Sequence, residues 1–136
     1  MTDAEVITLV DRLERCLLAG SEFRHQDHLA VAVVYLYGSG LETALEKLRA
    51  SLLRFSSHHG ASDKYHETLT RFWIEQVEQR LDRSVCLTES VRRVQAELSD
   101  KNLIYRYYSA ERLNSPEAKA HWVEPDISPF CITKSM

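Results

Sequence analysis

The chain has 136 residues, 44% of them hydrophobic and 27% charged, with 17 basic against 20 acidic side chains for a net charge of -3. That is enough chain for one hydrophobic core, and the charge balance excludes the broad basic surface that nonspecific binding to nucleic acid or an anionic membrane needs. Cys16, Cys86 and Cys131 are odd in number and contain no C-x-x-C pair, which argues against a disulfide framework or a thiolate zinc site and fits a reducing, cytoplasmic setting. The longest apolar run, Leu29 to Tyr37, is too short to cross a bilayer, and no basic region precedes an apolar run at the N-terminus.

In chain order, Thr2 followed by Glu5 is a capping-box pattern, and Val6, Leu9, Val10, Leu13 and Leu17 at helical spacing predict a helix over 3–18 with Gly20 as its stop. Ser21 can cap a second helix over 22–38. There His25, His28, Ala32 and Tyr35 share one stripe, while Leu29, Val31, Val33 and Val34 extend the apolar surface almost all round, which makes it the most buried helix. After the Gly38-Ser39-Gly40 break, Ser39 and Glu42 form a second capping pattern for a helix over 41–58, striped by Leu41, Leu45, Leu48, Leu52 and Phe55. Extending that stripe by four residues turns His59 inward, whereas His58 falls on the polar side with Lys47, Ser51 and Arg54. Gly60 ends the helix, Ser62 or Asp63 caps a fourth over 64–82, and His66, Thr70, Trp73 and Val77 form its face.

Thr88 can cap a shorter helix carrying Val91, Val94 and Leu98. Beyond it, Tyr105, Tyr107 and Tyr108 anchor short helical turns, Pro116 after Ser115 fits a helix start, and Pro125 and Pro129 predict an extended tail. The expected architecture is all-α: a single domain over 1–136, an up-and-down bundle with four principal helices, its core within about 3–98 and a partly helical packing segment from about 104 to 136.

Five of the six histidines lie between residues 25 and 66. Short connections favour antiparallel neighbours, so the start of the second helix, the end of the third and the start of the fourth should meet at one end of the bundle. Those places hold Arg24, His25, His28, His59, Lys64 and His66. Residues three apart on a helix sit roughly 60° apart around its axis, so His25 and His28 can aim at one point. The expected metal ligands are His25, His28 and His66, with His59 as an alternative ligand or a donor behind them. Neutral imidazoles with an open water position suit a divalent metal such as zinc, and equally iron, manganese, nickel or copper. The simpler reading of the same pattern is that histidines near helix ends satisfy main-chain groups or neighbouring acids.

The stretches Phe23-Arg24-His25-Gln26-Asp27-His28-Leu29 and Lys64-Tyr65-His66-Glu67-Thr68-Leu69-Thr70 resemble those of a group of small, functionally uncharacterised bacterial helical proteins. Tyr107-Tyr108-Ser109-Ala110-Glu111-Arg112-Leu113 and Glu124-Pro125-Asp126 are similar to the same group, and the likeness runs from about residue 20 to 129. In that group a single histidine precedes the glycine, which matches His59 and leaves His58 as the optional one. The resemblance implies no reaction; it draws attention to His25, His28 and His66.

Three functions compete. In a small metalloenzyme a histidine-bound metal activates water or a substrate oxygen, Glu67 is the nearest general base, and Arg24 or Lys64 orients an anionic group. In a metal-free binding module the same helix starts, with Arg24 and Lys64, hold a small carboxylate or phosphate. In a structural or regulatory subunit the aromatic C-terminal region docks a partner. Oligomeric state is not written in these patterns. No P-loop, dinucleotide fingerprint or H-E-x-x-H zincin pattern occurs.

Overall fold

A computed structural model describes residues 1–130, so Cys131 and the end of the expected C-terminal packing segment lie outside the described residues. Seven α-helices occur among the described residues, and no strand. They are α1 (Asp3–Glu14), α2 (His25–Gly38), α3 (Leu41–His58), α4 (Glu67–Arg80), α5 (Leu87–Glu97), α6 (Ala110–Leu113) and α7 (Pro116–Ala120), with 3-10 turns at Gly20–Glu22, Ser62–Lys64 and Leu103–Arg106.

The expected all-helical bundle is what forms, and its centre is α2. Leu29, Ala30, Val31, Ala32, Val33, Tyr35 and Leu36 are all buried, so this helix is apolar around most of its circumference and packs against α1, α3, α4 and α5 at once. The bundle has a fifth member: α5 buries Ser90, Val91 and Val94 and lies against α2.

Several helix ends differ from the sequence expectations, each for a local reason. The Thr2–Glu5 capping box forms as expected. But α1 stops at Glu14 and not near Gly20, because Cys16 takes a left-handed φ of 56°. The Cys16 N–H donates to Leu13 O at 3.0 Å and the Leu17 N–H to Arg12 O at 2.8 Å, which is the Schellman arrangement. The reversal exposes Leu17 (53%) and buries Leu18 (5%) in its place. At α2 the cap is not Ser21. Asp27 accepts from the Arg24 N–H at 3.0 Å, so the acid three residues into the helix satisfies the main chain there. At α3 the N-cap is Gly40, and Ser39 donates back to Tyr35 O. At α4 it is His66, not Ser62 or Asp63, and at α5 it is Cys86, with the Thr88 hydroxyl bonded to Asp3.

A second, smaller core sits under the C-terminal segment: Phe72, Ile104, Tyr108, Leu113, Ala118 and Val123. Trp73 and Leu103 touch both cores and join them. Asp126 accepts from the Ser109 N–H and hydroxyl at 2.8 and 2.6 Å, and Glu124 O accepts from Arg112 at 2.6 Å. The segments 107–113 and 124–126, separate in sequence, are thereby one structural unit. No helix among the described residues is long and apolar enough to cross a membrane.

Candidate functional site

Where the bundle meets the C-terminal segment there is a cavity of about 530 Å³, within the size range of small-molecule sites. His25, His28 and His66 all line it, as do Ser56 near the end of α3 and Lys64 ahead of α4. The start of α2, the end of α3 and the start of α4 therefore come together as the antiparallel argument requires. Its far wall is built from Lys101, Asn102, Ile104, Tyr105, Leu113 and Asn114, residues that no helical periodicity had connected to the histidines.

Three of the expected site histidines are tethered to distant carbonyls. The His25 Nε2–H donates to Leu98 O at 2.8 Å, fixing the start of α2 to the end of α5. The His59 Nε2–H donates to Leu18 O at 2.9 Å, and the His66 Nε2–H to Leu113 O at 2.7 Å. Each acceptor lies at or beyond a helix end, where carbonyls lack a partner within the helix. His66 has a second task. Its Nδ1 accepts the Leu69 N–H at 3.1 Å and so caps α4. With both ring nitrogens engaged the ring is the neutral Nε2–H tautomer, and desolvation by burial lowers its pKa.

His28 is different. Its ring lies on Phe23, centroids 4.1 Å apart at 35°, and neither nitrogen makes a hydrogen bond among the described residues. Desolvation, reinforced by nearby His25, pushes its pKa down to about 4. It is a neutral imidazole on a residue that lines the cavity.

The remaining expected site residues fall elsewhere. His59 does not turn inward: it caps the end of α3, is exposed like His58, rests edge-on against Phe55 and does not line the cavity. Continuing the α3 stripe past its last turn fails because His59 is already the C-cap, with its ring bonded to Leu18 O beyond α1. Arg24 is exposed and outside the lining, while Lys64 is exposed at the mouth. Glu67 faces away from the cavity into an ion pair, receiving Arg49 Nε and Nη2 at 2.8 and 2.6 Å and the Tyr65 hydroxyl at 2.6 Å. Burial alone would raise its pKa, but the Arg49 and Tyr65 bonds outweigh that and hold it below the usual value. The polar groups missed from sequence are Lys101, Asn102 and Asn114, in loops whose position depends on how the C-terminal segment docks.

In this geometry the lone pair that His66 would offer a metal is already in use. His66 would have to surrender its Leu69 or Leu113 bond to offer a lone pair, and among the described residues no group of three or more His, Cys, Asp or Glu side chains is placed to hold a metal. Neither His28 nor Glu67 is tuned as a general base. A base works best with a pKa near the operating pH, whereas His28 is shifted far below neutrality and Glu67 is held by its cation.

What the arrangement offers is an amphiphilic enclosure. Leu29, Leu48, Leu52, Leu69, Trp73 and Ile74 supply much of its apolar wall, Lys64 and Lys101 stand exposed beside it, and no carboxylate among the described residues is part of the lining. Comparisons with protein families, with curated proteins and with solved structures find no match to this chain, so the functional argument rests on the cavity itself.

Proposed function

We propose that the protein is a metal-free binding module for a small, largely apolar anion. The observation that supports this reading is the lining of the cavity: two lysines, no acid among the described residues, and an apolar wall large enough to take up a hydrophobic body. An anionic group would meet Lys64 and Lys101 near solvent, where neither charge is desolvated at great cost, while the apolar part contributes through burial. This keeps the anionic ligand expected from Lys64 but replaces Arg24 by Lys101 and moves the binding from helix N-termini to the cavity mouth.

Anilinonaphthalene sulfonate, an apolar anion that fluoresces on leaving water, tests the reading. It should bind with one-to-one stoichiometry. The paired substitution Lys64→Met and Lys101→Met should weaken binding about tenfold and remove most of its salt dependence. Binding that ignores both the substitutions and the salt would overturn the anionic part of the proposal. A metal analysis of protein purified without a polyhistidine tag should find no stoichiometric divalent ion; a bound ion lost on His28→Ala substitution would restore the metal reading.

A further inference from the structure

His28 stands apart from the other histidines of the cavity wall. Within the histidine cluster it is the ring that lines the cavity without donating to or accepting from any described protein group, whereas His25 and His66 are tied to Leu98 and Leu113. Its position is held by the stack on Phe23 and by its place near the start of α2, not by polar contacts. His28 is partly buried and its nitrogens are not sealed from solvent, so a ligand group that displaces solvent there must take over its hydrogen bonding.

We propose that the ligand is an aromatic carboxylic acid bearing a hydroxyl group at the end remote from its carboxylate, with the hydroxyl bonded to His28 and the carboxylate near Lys64 and Lys101. This rests on the anion-binding reading above. The hydroxyl follows from the chemistry of a neutral imidazole, which presents one N–H donor and one lone pair; a hydroxyl can answer either, whichever tautomer is present. A carboxylate at His28 is disfavoured because a neutral ring resting on Phe23 supplies no positive charge to answer it. The aromatic body follows from Tyr65 and Trp73, rings in the wall that suit a flat, polarisable partner.

Naphthoic acid and its analogue hydroxylated on the ring carbon farthest from the carboxylate provide the test, by calorimetric titration against the intact protein. The hydroxylated acid should bind about tenfold more tightly, a hydrogen bond's net contribution at a site built to receive it. The His28→Phe variant, which keeps an aromatic ring on Phe23, should bind both acids equally. His28→Gln should restore part of the preference. As a measurement independent of any variant, the ring signals of His28 in NMR spectra should move with the hydroxylated acid and much less with the parent. If the parent acid binds and the hydroxyl adds nothing, or its gain survives His28→Phe, the inference is wrong while the anion-binding reading stands. If neither acid binds, both fall.

Discussion

Two ionisable side chains at and beside the cavity both make the fold less stable in acid. The His28 pKa lies at about 4 in the folded protein against an ordinary 6.5, so between those values the unfolded chain takes up a proton that the folded chain refuses. Stability should therefore fall as pH drops from 6.5 towards 4 and change no further on this account below 4, with a span of up to about 3 kcal/mol. His66, also lowered, adds to the loss at the upper end of the window. Urea unfolding at pH 7 and pH 4.5 should show the decline, and His28→Phe should reduce its slope without abolishing it; an unchanged slope would place His28 in water. For Glu67 the depressed pKa puts its contribution above the unfolded value of 4.5, and that contribution is lost on acidification. Glu67→Gln should cost about 2 kcal/mol, less than a fully buried pair because Arg49 is 36% exposed. The same variant should change naphthoate affinity by less than about twofold, since its carboxylate is not part of the cavity wall.

At the level of elements, α1 and α3 end in the same way with different residues. Both close in a Schellman turn, α3 through Gly60 N–H to Ser57 O and Ala61 N–H to Ser56 O, and α1 through Cys16 and Leu17. Gly60 meets the left-handed φ without a Cβ; Cys16 meets it with one. Cys16→Gly should accordingly stabilise the fold by up to about 1 kcal/mol, and Gly60→Ala should destabilise it by about 1 kcal/mol, in denaturant titrations. This contrast explains why the end of α3 could be anticipated and the end of α1 could not. Glycine marks the first, whereas at the second it is the burial of Leu18 that selects the turn.

At the scale of the whole molecule, the cavity exists only because the C-terminal segment is docked, and Phe72 is the pivot of that docking. Its ring meets Trp73 on α4 and Tyr107, Tyr108 and Phe130 on the other side. Phe72→Ala should cost about 3–4 kcal/mol. The two cores share Trp73 and Leu103, so tryptophan fluorescence and far-ultraviolet circular dichroism should trace one coincident transition in the unsubstituted protein. An earlier fluorescence transition would show that the segment around Trp122 melts alone.

Helix periodicity, the capping box at Thr2 and the glycine breaks determined the all-helical class, the central place of α2 and the placing of His25, His28 and His66 along one cavity, because these depend on spacing and chain reversal over neighbouring elements. They could not determine what each imidazole does. That depends on carbonyls 41 to 73 residues away in the chain, and on a wall contributed by residues 101–114. A histidine pattern looks the same whether its nitrogens face a metal, a ligand or the main chain. Tertiary structure decided which rings the main chain engages, supplying carbonyl acceptors to three of them and leaving His28 at the cavity without one among the described residues.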